Sequence, residues 1–148
     1  MTPKQRAAQR VANSYAKVCN KRFNIDIPVP VPMDFDLCTR GTKKQAESAG
    51  EARSEFGQLS ISINDILLTE FESHIYNHTI PHEIAHLVVF VKFHHKGADV
   101  SGHGVEWQEV MRVLGLNPDK YHKLDCTKAI SHYRVEKRKA KALAKANK

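Results

Sequence analysis

The sequence predicts an α+β fold: a compact core in which a small sheet packs on a buried helix. Three observations carry this. Leu59, Ile61 and Ile63 alternate with Ser60, Ser62 and Asn64, the period of a strand. The stretch Ile80–Phe93 is apolar nearly all round, as only a buried helix can be. Helical periodicity flanks both, over residues 3–22 and 105–114.

Taken in order, Pro3–Arg22 reads as an amphipathic helix. Val11, Tyr15, Val18 and Arg22 lie along its inward stripe, joined by Ala7, Ala8 and Cys19. Arg6, Arg10, Lys17 and Lys21 form a separate basic stripe, either a solvated face or a track for phosphates. Residues 24–37 are extended: Pro28, Pro30 and Pro32 forbid helix, and three prolines place the first half at a sheet edge or outside the sheet. Thr39–Glu55 is polar and small and reads as a loop with at most a short irregular strand. Phe56–Asn64 is the clearest strand, and Asp65–Phe71 a turn. A long helix follows over residues 70–93, kinked or restarted at Pro81, whose ring disturbs the carbonyl of Asn77. Residues 94–104 form a loop with Gly97, Gly102 and Gly104. Trp107, Val110, Met111 and Leu114 mark a helix that Gly115 and Pro118 end. Arg134–Lys148 alternates Lys with Ala and predicts a basic helix that forms on a polyanion and frays without one.

A chain of 148 residues with 41% hydrophobic and 26% charged content fits a single globular domain. The three cysteines, Cys19, Cys38 and Cys126, form no C-x-x-C pair and point to free thiols in a reducing compartment. No signal peptide and no membrane-spanning run is read, so the expected location is intracellular and soluble. The net charge of +7 is uneven: after Met111, eleven Lys/Arg face three acids, Asp119, Asp125 and Glu136. That asymmetry predicts a polyanionic partner, most simply nucleic acid.

The chemistry is concentrated in His82-Glu83-Ile84-Ala85-His86, which reads H-E-x-x-H. On a helix the two imidazoles lie one turn apart on one face and can share a zinc ion, while Glu83 can take a proton from an attacking water. A catalytic zinc takes three protein ligands and keeps one position open. The third ligand must come from another element. The candidates are His74, His78, His94, His95, Asp99, His103 and Glu106. His78 lies about 12 Å along the helix from His86, too far to share one ion. His103 is favoured, because it follows a loop long enough to turn back and is flanked by Gly102 and Gly104; Glu106 is the alternative. The competing account makes these histidines satisfied helix residues or a structural metal site. A structural zinc, however, is closed by four protein ligands, and no Cys accompanies these.

With these residues in place, the chain resembles the SprT-like family of zinc metalloproteases (bacterial SprT and Spartan-type proteins). The resemblance runs through Thr39-Arg40-Gly41-Thr42, Ile63-Asn64-Asp65-Ile66-Leu67-Leu68 and Ile80-Pro81-His82-Glu83-Ile84-Ala85-His86-Leu87. It continues through Gly102-His103-Gly104-Val105-Glu106-Trp107 to Met111 and Leu114-Gly115. It implies a zincin-like metalloprotease domain over residues 1–125, with one Zn2+ on His82, His86 and His103 and Glu83 as catalytic base. It also implies substrates bound or crosslinked to DNA, with DNA, expected single-stranded, as activator. The chain departs from the family where many members carry a Cys-rich zinc ribbon: Cys126 stands alone, and 126–148 is a basic tail. DNA contacts would then fall to Arg6, Arg10, Lys17 and Lys21 and to Lys137, Arg138, Lys139 and Lys141. The tail holds phosphates without reading bases, since no aromatic follows Tyr133; the plainer account of it is solubility. Substrate is expected to pair with an edge strand, assigned to Phe56–Asn64. Tyr121, His122 and His95 remain open as oxyanion donors. The alternative function is a nucleic-acid-binding module with a structural zinc and no useful protease activity.

Overall fold

The structure is a computed structural model, and it describes residues 1–93, 102–119 and 121–147. Its elements are α1 (Pro3–Phe23), β1 (Met33–Asp34), α2 (Lys43–Glu47), β2 (Gly50–Glu55), β3 (Gln58–Ile63), α3 (Asp65–Glu70), α4 (Glu72–His74), a π-helical turn (Ile75–Thr79), α5 (Ile80–Phe93), α6 (Val105–Val113) and α7 (Thr127–Ala146). The α+β class holds: helices enclose a three-stranded sheet of order β1-β3-β2, with β1 parallel and β2 antiparallel to β3.

Helix α5 is the centre. Residues 80–89 are buried without a break, and α1, the sheet and α6 each cover one side. α1 starts at a capping box in which Thr2 and Gln5 satisfy each other's backbone donors. Its inward face follows the expected stripe at Ala8 and Cys19 and departs from it elsewhere. Ala8, Ala12, Ala16 and Cys19 are buried, whereas Val18 is 55% exposed and Val11 and Tyr15 only flank the contact. Small residues one turn apart let α1 lie close against α5, and closeness decides the face over the hydrophobicity of single residues.

The proline segment after α1 contributes only two residues to the sheet. Side chains of α1 hold the rest in place of a ladder. Asn20 Nδ2 donates to Ile27 O at 2.9 Å, and its Oδ1 accepts from Ile27 N at 2.7 Å. Val31 N donates to Asn13 Oδ1 at 2.9 Å, and Gln9 Nε2 to Val31 O at 2.9 Å.

Residues 39–55, expected as a loop, contain α2 and the regular strand β2. The sequence signature Thr42-x-x-Gln45 is a second capping box. Expected strand 56–64 is shorter, because Phe56 and Gly57 form a two-residue turn with φ of 51° and 79°. It is also not an edge: β3 is the middle strand, and β2 is the free edge beside α5. The turn expected at 65–71 is helical, started by Asn64. This buried side chain accepts from Ile66 N and Leu67 N at 3.1 and 3.2 Å and donates to the carbonyls of Ala46 and Ser48 at 2.9 and 3.1 Å.

The expected helix over residues 70–93 runs from Glu72 to Phe93, with its irregularity one turn ahead of Pro81. Phe71, at φ −131° and ψ 46°, separates it from α3, and the π turn absorbs the donor that Pro81 lacks, with Ile80 N bonding Ile75 O. The loop 94–101 lies outside the described residues. Helix α7 is continuous from Thr127 to Ala146. Ala129 and Tyr133 bury its first half, and Tyr133 Oη donates to Gly41 O at 3.3 Å.

Asn64 joins α2, β3 and α3 through four bonds in an interior site. Asn64→Ala should therefore lower unfolding free energy by about 2–3 kcal/mol in urea titration, whereas a neighbouring exposed change such as Thr69→Ala should cost under about 0.5 kcal/mol.

Candidate functional site

α5 presents His82 and His86 one turn apart, and Gly104 leads into α6 just after His103. The three Nε2 atoms converge: His82 to His103 at 3.0 Å and His86 to His103 at 3.2 Å. Bonds of 2.0–2.1 Å to a tetrahedral zinc would set neighbouring nitrogens about 3.3 Å apart, so the residues fit that ion. Among the described residues this is the one group of His, Cys, Asp and Glu gathered closely enough to hold a metal. Each imidazole must present a lone pair. Burial first, and then the neighbouring His86, His103 and His78, push His82 down to about 3, which keeps it neutral.

Trp107 fixes the trio. Its indole N–H donates to His82 O at 3.2 Å, and its ring lies against His86 at 5.6 Å, nearly parallel. It meets His82 and His103 edge-on, each at 4.7 Å between centroids. Gln108 Nε2 holds the His103 carbonyl at 3.0 Å. One fully buried side chain thus ties α6 to α5 at the level of the three nitrogens.

Glu83 is buried, with Oε1 3.9 Å from His82 Nε2. Its carboxyl is pushed up to about 8, by burial first and then by the charge of Glu51, while the Ala52 backbone N–H works in the opposite direction. That N–H reaches Glu83 because β2 passes close by. A β-carbon on Gly50 would lie 2.9 Å from Thr79 Cγ2 and 3.1 Å from Glu83 Cγ. Sequence reading missed Gly50 and Ala52. The only trace was a glycine inside a small-residue run taken for a loop.

The trio and Glu83 open into a cavity of about 590 Å3 that runs beside β2 and reaches Tyr121 and Cys126. His78 stands beside the site, its ring 6.0 Å from that of His82, and lines the cavity. His74 is a turn further away, and Glu106 is half-buried on α6; neither is gathered with the trio. His94, His95 and Asp99 lie outside the described residues. Of the oxyanion candidates, Tyr121 is exposed with its ring 6.2 Å from His103. His122 is engaged at both nitrogens, Nε2 against Glu47 O at 2.7 Å and Nδ1 accepting from Leu124 N at 3.1 Å. The basic candidates Arg6, Arg10, Lys17 and Lys21 on α1, and Lys137, Arg138, Lys139 and Lys141 on α7, are all exposed. No helix of the described residues is long and apolar enough to cross a membrane.

The SprT-like family model matches residues 9–127. Protein SprT of Glaesserella parasuis is 34% identical over 124 residues, which cover 83% of this chain and 68% of that protein. Protein SprT of Vibrio atlanticus is 28% identical over 127 residues, 85% of this chain and 68% of that protein. Protein SprT of Pasteurella multocida is 41% identical over 69 residues, 46% of this chain and 39% of that protein. No solved structure matches.

Without metal, the two shifted groups act in different windows. His82 adds pH-dependent stability only between about 3 and its ordinary 6.5, where the unfolded chain binds the extra proton. Glu83 acts between its ordinary 4.5 and about 8, where the folded chain holds a proton that the unfolded chain has released, so stability falls as pH rises. From pH 6.5 to 8 Glu83 acts alone of the two. The melting temperature of chelator-treated protein should therefore drop by a few degrees across that range, and the drop should vanish in Glu83→Gln.

Proposed function

The chain belongs to the SprT-like family, and on that premise we propose that it is a zinc-dependent metallopeptidase with a zincin-like core that cuts proteins bound or crosslinked to DNA. The observation that carries the reading is the convergence of three imidazole nitrogens beside a buried glutamate, in a cleft flanked by a free strand edge. The donor set is suited to zinc, and three ligands opening into a cavity favour a catalytic over a closed structural site.

When bound, the zinc ion supplies a Lewis acid that polarises the scissile carbonyl and makes a water easier to deprotonate. Everything else falls to the chain. His82, His86 and His103 hold the ion, with Trp107 and Gln108 keeping two of them in register. Glu83 accepts the proton of the attacking water and returns it to the leaving amine. A nearby dication would favour its ionised form, the one that can accept a proton. β2 aligns the substrate backbone at the free edge. Of the two described oxyanion candidates, Tyr121 is the one able to donate its O–H to the developing oxyanion, since both His122 nitrogens are engaged.

DNA enters through charge alone. The exposed cations of α1 and α7 supply phosphate contacts without base readout, so binding is expected to weaken steeply with salt. The bacterial SprT relatives fit a location without a membrane span.

The test is cleavage of a basic DNA-binding protein by zinc-loaded protein, with and without single-stranded DNA. Cleavage that DNA stimulates, and that Glu83→Gln lowers about 1000-fold at equal zinc content, is the expected result. A zinc-loaded wild type that cuts nothing with or without DNA would leave the binding-module reading standing. Tyr121→Phe should lower kcat about 100-fold with KM nearly unchanged, because its hydroxyl acts only as charge develops.

A further inference from the structure

The hairpin joining β2 and β3 ends in a residue that its local chemistry disfavours. Phe56 occupies the first turn position at φ 51°, a left-handed conformation in which Asn, Asp or Gly is preferred. Its ring is fully exposed. Neither turn geometry nor burial accounts for a phenylalanine there.

Its surroundings suggest a use. A second cavity, of about 1380 Å3, runs along β2 to the hairpin tip and includes Phe56 among its walls. It shares Glu51, Ala52 and Phe90 with the cavity over the histidines, so the two adjoin at the strand. The strand is built to be read by another backbone. Asn64 N bonds Ala49 O at 2.9 Å, which sets the alternation of the ladder. By that alternation Glu51, Arg53 and Glu55 turn their backbone groups to β3, while Gly50, Ala52 and Ser54 turn theirs away from it, the Ala52 N–H to Glu83. An extended polypeptide is the ligand that matches such a row. Phe56 is four residues beyond Ala52, which contacts the catalytic carboxylate, about 13 Å along the strand.

We propose that Phe56 is the wall of a distal subsite, which receives an apolar side chain of an extended polypeptide substrate about four residues from the scissile bond. This rests on the protease reading above and adds to it a second point of substrate recognition, set by the hairpin and not by the metal. Positioning by a remote aromatic contact is expected in KM and not in kcat, because the contact is the same before and during bond cleavage.

The experiment uses the principal cut that the zinc-loaded full chain makes in denatured casein. Two peptides are made around it: one reaching about six residues to either side, and one about two, which stops short of the hairpin. Phe56→Asn suits the turn better and should not lower the melting temperature. It is expected to raise KM for the long peptide about fivefold, the size of one aromatic contact, with kcat and all constants for the short peptide unchanged. Phe56→Trp should keep the wild-type KM. An equal loss on both peptides, or no loss on either, overturns the subsite while leaving the protease intact. A wild type that cuts neither casein nor the peptides overturns the protease reading and the subsite with it.

Discussion

A helix with no side fit for water governs this molecule. α5 is buried from Ile80 to Val89, so every other element is in effect a cover for it. An alanine face brings α1 close, the sheet lies against a second side, and α6 closes a third through Trp107. Covering is incomplete along one line, where His82, Glu83 and His86 face the cavity. Three ionisable groups sit in the buried span 80–89 at the one place where the cover opens, and two show what that position does: His82 is held neutral, and Glu83 is held protonated until a cation is near.

Two close approaches convert this line into a site. Gly50 allows the β2 backbone to reach Glu83, where a methyl group would strike Thr79. Trp107 allows His103 to meet two histidines that belong to another helix. Both depend on a single side chain, one absent and one large. The first brings a strand edge to the base, and the second completes the donor set.

The parts legible in the sequence are those in which one residue's chemistry dictates its neighbours' spacing. His82 and His86 announce a shared ligand at one helical turn, and the apolar run around them announces burial. His103 could be reasoned from its distance and flanking glycines. What was not legible depends on packing. The inward face of α1 is chosen by the fit of Ala8, Ala12 and Ala16 against α5, which no hydrophobicity pattern of α1 alone contains. β2 has the composition of a loop, Gly-Glu-Ala-Arg-Ser-Glu, because an edge strand with its outward groups in water needs few β-branched residues. The clear alternation belongs to β3, because it is the middle strand, paired on both sides.

Charge divides the molecule in the same way. The net charge of +7 is carried outward, on the exposed faces of α1 and α7, while Glu47, Glu51 and Glu83 line the cavity with a single lysine, Lys44. The exposed faces of α1 and α7 are therefore basic, and the cleft is not. Nucleic acid concentrated on such a surface has no electrostatic reason to enter the cleft, whereas a basic polypeptide held on that nucleic acid does. The converging histidine nitrogens and the carboxyl groups beside them favour cations, and the strand edge favours a peptide backbone.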